Sequence, residues 1–205
     1  MRSETSCSLH HMVYTPSGQQ APPLWANWEY LVGAWQGLNI PEGWRLELIE
    51  ERLVPVSPPE YRHGQIVDVL HRDFAARSPR DAAVFRTVSV VIPSRRSLFI
   101  PDLLVAAESR AASDAVSVEA EKTLLVAEIS GKAESAGDRE LKLWSYAHAG
   151  APLYLVVDPW AKGGSVVRLY SEPHNAAYLR CAEVRFGEVI EVPEPFGFSL
   201  DTAEF

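Results

Sequence analysis

The chain has 205 residues and a mass of 22.7 kDa, enough for one domain with a sizeable core. Hydrophobic residues make up 47% of it, which excludes disorder throughout, and no apolar run reaches the ~18 residues of a membrane-spanning helix. A formal net charge of −8 argues against nonspecific coating of nucleic acid. Cys7 and Cys181 are too few for a disulfide framework, and no signal-peptide pattern precedes them, so we expect a cytoplasmic protein.

The first half of the chain predicts two helices separated by a hairpin. Residues 1–21 are polar and predict a flexible N-terminal tail, and residues 22–205 form the predicted domain. Apolar residues at helical spacing predict a helix over residues 22–39 and a second helix over residues 61–77. Alternation over residues 44–56 predicts a hairpin that turns at Glu50, Glu51 and Arg52.

The second half is dominated by strands around one helix. Three strand candidates span residues 84–92, 98–107 and 123–130, and a helix over residues 135–149 ends before Gly150. A buried strand over 153–157 follows, then shorter strands over 166–171, 177–185 and 189–192. The pattern predicts a single α/β domain with a mixed β-sheet flanked by helices.

Positive charge is concentrated in the middle of the sequence. Residues 61–97 carry seven arginines against three aspartates, a balance of +4 that leaves −12 for the rest of the chain. Arginine suits bidentate phosphate contacts, but exposed helix faces and loops explain the same residues equally well. The arginines are Arg62, Arg72, Arg77, Arg80, Arg86, Arg95 and Arg96.

Two carboxylates stand inside apolar strand candidates. Asp102 follows Leu98–Pro101, and Glu128 follows Leu124–Ala127. A buried carboxylate is costly unless a cation or several donors compensate it, and two of them suggest a shared hard cation such as Mg²⁺ or Mn²⁺. The alternative is that each acid caps a helix end or pairs with an arginine.

The helix after Glu128 adds a polar stripe. Asp138, Lys142 and Tyr146 recur every four residues and share one face, which a surface ion pair explains as well as a catalytic role does. Glu47 shares a strand face with Arg45, where most such residues face solvent. His63 begins the second helix, and a single histidine there is more often structural or exposed than catalytic.

Taken together in order, these residues resemble the Uma2 family of endonucleases, part of the PD-(D/E)xK restriction-endonuclease-like superfamily. The resemblance covers roughly residues 40–195. The segments that carry it are Glu47–Ile49, Val56–Pro59, His63, Pro101–Asp102, Leu125–Ser130, Asp138, Lys142, Tyr146, Gly150 and Tyr154–Pro159.

The resemblance implies a restriction-endonuclease-like core, with Asp102 and Glu128 as the metal-binding acids. The superfamily usually places a lysine two residues after the second acid, where this chain has Ser130. Uma2 proteins commonly carry that lysine on the following helix, which assigns Lys142 the displaced role. Glu47 matches the family's early glutamate, which could reach the same site from the hairpin.

The resemblance leads to one hypothesis and one rival. The hypothesis is a Mg²⁺- or Mn²⁺-dependent endonuclease acting on DNA, with Asp102, Glu128 and the carbonyl of Ile129 as metal ligands. Lys142 and Glu47 would be catalytic, the arginines of the central segment would contact the DNA backbone, and a homodimer would suit the symmetry of a duplex. The rival is a catalytically silent binding or interaction protein that retains the nuclease fold, which the net charge and Ser130 favour.

Overall fold

The computed structural model describes residues 28–107, 117–132 and 134–205, and the predicted tail over residues 1–21 lies outside them. Within this part of the chain there are three α-helices: α1 (Trp28–Gln36), α2 (Tyr61–Arg77) and α3 (Ala136–His148). None of them is long and apolar enough to cross a membrane. The second helix has the predicted bounds, whereas the predicted start of the first helix falls on residues 22–27, outside the described part.

The described residues form thirteen strands in two main sheets and one small one. The five-stranded sheet has the order β2-β1-β5-β4-β7, the six-stranded sheet has the order β11-β10-β9-β8-β6-β3, and β12 pairs with β13. The strands are β1 (Arg45–Ile49), β2 (Arg52–Val56), β3 (Ala82–Phe85), β4 (Ser89–Ile92), β5 (Ser97–Phe99), β6 (Leu103–Ala107), β7 (Ser117–Glu119), β8 (Thr123–Ile129), β9 (Leu153–Asp158), β10 (Val166–His174), β11 (Ala177–Arg185), β12 (Val189–Val192) and β13 (Phe198–Asp201).

The predicted α/β class, with mixed β-structure flanked by helices in a single domain, is confirmed, and the strands divide between two main sheets. Two of the predicted strands are each split, and the chain crosses from one sheet to the other at both breaks. The first break lies between β3 and β4, where Thr87 has a φ of 63° that a regular strand does not allow. The second break, at Ile100–Asp102 between β5 and β6, contains Pro101, which cannot donate to a strand ladder.

Helices cover both faces of the six-stranded sheet. Leu103 and Val105 of β6 face α2, where they pack with Leu70 and Phe74. Leu104 and Ala106 alternate with them and belong to the core on the other face, which includes Tyr146 of α3. The same alternation along β8 turns Val126, and therefore Glu128, towards α3.

The start of α3 is fixed by a capping box. The Ser135 hydroxyl accepts a hydrogen bond from the backbone N–H of Asp138 at 3.1 Å, and the Asp138 carboxylate accepts one from the backbone N–H of Ser135 at 3.2 Å. These contacts satisfy two groups that a helix N-terminus otherwise leaves without partners.

Replacing Ser135 by alanine is expected to lower the free energy of unfolding by about 1 kcal/mol, because the cap is lost. Urea denaturation measures this change. Ser135→Thr is the matched control and keeps most of the stability, since threonine also caps helices. Equal losses in the two variants would contradict the capping role.

Candidate active site

Asp102 lies in the segment between β5 and β6, where the chain crosses between the sheets. Its side chain is buried, and both carboxylate oxygens have partners. Its Oδ1 accepts from Arg45 Nη1 at 2.9 Å and lies 2.8 Å from His63 Nε2. Its Oδ2 accepts from the backbone N–H of Ile129 at 2.8 Å. Burial works to raise the pKa of Asp102, but these partners hold it below its ordinary value.

The contact between Asp102 and Ile129 has a simple origin in the sheet. β6 begins at Leu103, which pairs with Ala127, so β8 extends past the end of its β6 neighbour. The N–H of Ile129 on that side has no strand partner, and Asp102 accepts its hydrogen bond. Because β6 begins at Leu103 while β8 continues, the Asp102 carboxylate lies beside the end of β8.

Glu128 faces α3 and bonds to two residues of the predicted stripe. Its Oε2 accepts from Lys142 Nζ at 2.9 Å, and its Oε1 accepts from the Tyr146 hydroxyl at 3.2 Å. Burial raises the pKa of Glu128 to about 8; Lys142 opposes this rise, and the nearby Asp102 and Glu47 carboxylates add to it. Burial works to lower the pKa of Lys142, but the surrounding carboxylates raise it above its ordinary value, so Lys142 is a cation at neutral pH.

Glu47 is buried, so the solvent-facing alternative for it does not hold. Only 3% of it is exposed. Its Oε1 accepts from the backbone N–H of Ile100 at 3.0 Å and lies 3.7 Å from Lys142 Nζ. Ile100 belongs to the crossing segment, so Glu47 satisfies a backbone donor at the point where β5 leaves its sheet. Lys142 thus contacts both Glu47 of the five-stranded sheet and Glu128 of the six-stranded sheet.

Three participants were not assigned to the site from the sequence. Arg45 and His63, which are distant from Asp102 in the sequence, both contact its carboxylate. Of the alternatives considered for Asp102, pairing with an arginine is therefore the one observed. Glu134 is the third: burial raises its pKa, and its Oε2 has no hydrogen-bond partner among the described residues. Its sequence position in the loop before α3 gave no signal of this role.

Asp138, the first residue of the stripe, is engaged differently. Its carboxylate caps α3 through Ser135, while Lys142 and Tyr146 reach Glu128. Asp138 nevertheless lines the same cleft as Lys142.

The donor set suits a hard divalent cation. Four carboxylates, those of Glu47, Asp102, Glu128 and Glu134, surround two fixed cations, Arg45 and Lys142, which leaves two negative charges when all are ionised. Carboxylate oxygens are the ligands that Mg²⁺ and Mn²⁺ prefer, and Oε2 of Glu134 is a buried oxygen that no donor of the described part of the chain reaches. Within the described ranges, however, no three His, Cys, Asp or Glu side chains form a ready metal cluster. Arg45, His63 and Lys142 hold the same oxygens, and an ion would compete with them.

Most arginines of residues 61–97 form ion pairs with carboxylates of the same chain. Five of the seven form ion pairs with carboxylates. Arg62 lies over the ring of Phe186, 5.6 Å from its centre, and also lines the cleft above Glu128. The paired arginines are Arg72, Arg77, Arg86, Arg95 and Arg96, so their number alone does not define a DNA-binding surface.

Two clefts open onto this centre. The smaller, of about 370 Å³, is lined by Glu47, Asp102, Glu128 and Lys142 together with the cations Arg62 and Lys132. The larger, of about 760 Å³, lies on the other side of a wall that both clefts share. That wall consists of Arg45, Pro59, His63 and Asp102.

The comparisons with known proteins agree with this architecture. The model of the Uma2 family, whose description is "Putative restriction endonuclease", matches residues 30–203. The chain belongs to the Uma2 family. Curated protein sequences include no significant match to it.

A solved structure shares the fold of this Uma2 protein. It is the crystal structure of "a putative nuclease belonging to DUF820" from Anabaena variabilis, with a TM-score of 0.67 and 16% sequence identity. The similarity covers 84% of this chain and 95% of the other. At this identity the likeness confirms the fold and leaves the roles of individual residues as predictions.

Proposed function

We propose that this Uma2 protein is a divalent-metal-dependent endonuclease that hydrolyses phosphodiester bonds in DNA. The observation that carries the proposal is that Glu47 and Glu128 meet at the Lys142 ammonium group, in an open cleft that Asp102 also lines. The family to which the chain belongs supports nuclease chemistry in general. DNA as the substrate, metal dependence and the residue roles below are parts of the proposal, as is a homodimer.

Asp102, Glu128 and the carbonyl of Ile129 would hold Mg²⁺ or Mn²⁺. Such an ion supplies Lewis acidity for a phosphoryl oxygen and acidifies a bound water. Glu47 would hold the ion or an ordered water through its second oxygen, while its Oε1 stays on the N–H of Ile100. Asp102 is positioned for this by the N–H of Ile129, which fixes one of its oxygens at the end of β8.

Lys142 would act through its charge. Because its pKa is raised, it carries no lone pair at neutral pH and cannot accept a proton from water. It can donate hydrogen bonds to a phosphate oxygen and stabilise the negative charge that develops there. Its present contacts with Glu128 and Glu47 hold the ammonium group in place for that role.

A catalytically silent binding protein is the second candidate, and one observation favours it. Arg45 pairs with Asp102, which also contacts His63, and Lys142 pairs with Glu128, so both carboxylates have protein partners without an ion. Such a protein would keep the fold and bind nucleic acid without cleaving it.

Cleavage assays decide between the two candidates. Supercoiled plasmid and single-stranded DNA are incubated with Mn²⁺ and the native protein, Asp102→Ala or Lys142→Ala. Cleavage by the native protein alone supports the proposal. Equal cleavage by all three proteins points to a contaminant or a wrong site, and no cleavage by any of them favours the silent protein.

Manganese is expected to raise the melting temperature of the native protein. Ion binding at a hundred times its Kd stabilises a fold by about 2.7 kcal/mol, which amounts to roughly 5–10 °C for a chain of this size. Differential scanning fluorimetry measures the shift. Asp102→Asn removes most of it, whereas Asp201→Asn, a change of an exposed carboxylate on β13, preserves it. Equal shifts in both variants would contradict the assigned metal site.

A further inference from the structure

The larger cleft lies directly beside the carboxylate centre. Its volume of about 760 Å³ is within the range of pockets that hold small ligands. Arg45, His63 and Asp102 form its inner end, and the rest of its lining is largely apolar. The apolar part includes Trp35, Leu38, Ile40, Trp44 and Val67.

The two tryptophans of this cleft differ in how they are held. Trp35 packs against the core cluster that contains Leu48, and its indole N–H donates to the carbonyl of Leu46. Trp44 is 40% exposed and immediately precedes Arg45, the residue bonded to Asp102. The cleft therefore has one aromatic side chain that is held in place, Trp35, and one that is accessible to a ligand, Trp44, next to Arg45 in the chain.

The distribution of polarity indicates the kind of ligand. Arg45, paired with Asp102 at 2.9 Å, lies where the cleft meets the site, and Arg86, paired with Asp68 at 2.8 Å, lines it as well. Aromatic and aliphatic side chains form the remainder. A nucleotide likewise combines a charged part with a flat part, because its phosphate is anionic and its base stacks on aromatic rings.

We propose that this cleft binds an unpaired nucleobase next to the phosphate held at the carboxylate centre, so that single-stranded DNA is the substrate form. The inference rests on the proposed nuclease function and adds the substrate form to it. A paired base is stacked inside the duplex and cannot enter a lateral cleft without being flipped out. Trp44 stacks on the base, and Arg45 and His63 lie between that base and the smaller cleft.

Fluorescence polarisation tests the base site with the full chain. The probes are a short fluorescent oligothymidylate, an abasic deoxyribose phosphate oligomer of the same length and charge, and a DNA duplex. The measurements are made in EDTA at constant low salt, so that no strand is cut and charge contacts are equal. The variants are Trp44→Ala, Trp44→Phe and, as the matched control, Tyr30→Ala, an exposed aromatic that lines neither cleft.

The native protein is expected to bind oligothymidylate about tenfold more tightly than the abasic oligomer, because one stacked base contributes that much. Trp44→Ala removes the preference, whereas Trp44→Phe and Tyr30→Ala retain it. Circular dichroism and melting curves establish that the variants are folded. Equal affinity for the two single strands, tighter binding of the duplex, or an unchanged preference in Trp44→Ala would each overturn the inference.

The binding test separates this inference from the proposed activity. A base preference that depends on Trp44, in a protein that cuts no DNA with Mn²⁺, supports the base site and contradicts the nuclease. Metal-dependent cleavage without any base preference overturns the base site and supports the nuclease.

Discussion

Replacing Lys142 by methionine is expected to reduce DNA cleavage about a hundredfold or more, while the melting-temperature shift with Mn²⁺ remains. The loss follows from removing a preorganised donor at the position where phosphate charge develops, an effect of 10²–10³ in comparable sites, or about 3–4 kcal/mol. The metal ligands assigned above are untouched, and Glu128 loses a competitor for its oxygens. Cleavage of single-stranded DNA and fluorimetry on the same preparation measure both properties.

The same substitution also tests the energetics of the buried cluster. Lys142 is the contact cation for Glu128 and Glu47, so its removal is expected to destabilise the fold by about 3 kcal/mol. Since burial already raises the pKa of Glu128 to about 8, protonation of Glu128 limits the loss. Urea denaturation near neutral pH measures the change.

Two further variants act as controls for Lys142. Glu128→Gln combined with Lys142→Met removes both charges and should recover most of the stability without any cleavage. Lys122→Met removes a lysine of an exposed ion pair with Glu119 and should change neither property. Native-like cleavage by Lys142→Met would exclude the assigned role, and a double variant less stable than Lys142→Met would contradict the ion-pair argument.

Local patterns predict most elements of this fold but not the division into two sheets. The second helix and β11 have their predicted bounds, because apolar spacing and turn residues mark them directly. The run from Leu98 to Ala107 reads as one strand, since both of its halves are buried. Only the distant partners of each half, β1 and β4 on one side and β3 and β8 on the other, reveal the crossing at Pro101.

The sequence reveals those site residues whose type does not suit their local surroundings. Asp102 and Glu128 stand out because a carboxylate in an apolar strand needs compensation. The partners of Asp102 cannot be read from the sequence: Arg45 is 57 residues away from Asp102, and its contact depends on how the two sheets meet. For Glu47 the sequence left solvent exposure open beside a role in the site, because alternation assigns faces to a strand without showing what covers them. Here the backbone of Ile100 and the side chain of Lys142 contact Glu47.

Asp102→Asn is expected to abolish metal-dependent cleavage and to change how stability depends on pH. The amide keeps the shape of the side chain but loses the charge that would hold a divalent ion. It also leaves Arg45 without its carboxylate partner, in a side chain that is only 19% exposed. We therefore expect a loss of about 3 kcal/mol near neutral pH, the cost of breaking a buried pair.

The pH dependence follows from the lowered pKa of Asp102. Its hydrogen bonds and the Arg45 charge hold the folded-state pKa below the ordinary value of 3.8, so the folded protein binds fewer protons there than the unfolded chain. The carboxylate thus stabilises the fold above the ordinary value, and this contribution is lost as the pH falls towards the folded-state pKa. The stability difference between the native protein and Asp102→Asn should shrink as the solution is acidified.

Urea denaturation over a series of acidic and neutral pH values measures that difference. Asp201→Asn is the matched control, because its exposed carboxylate makes only a local contact with the N–H of Ala203. A difference that stays constant down to low pH would mean that the folded protein does not lower the pKa of Asp102, and a difference that grows on acidification would mean that Asp102 is protonated in the folded protein. A protonated acid could neither pair with Arg45 and His63 nor bind an ion, so this one titration bears on the ion pair and on the proposed metal site together.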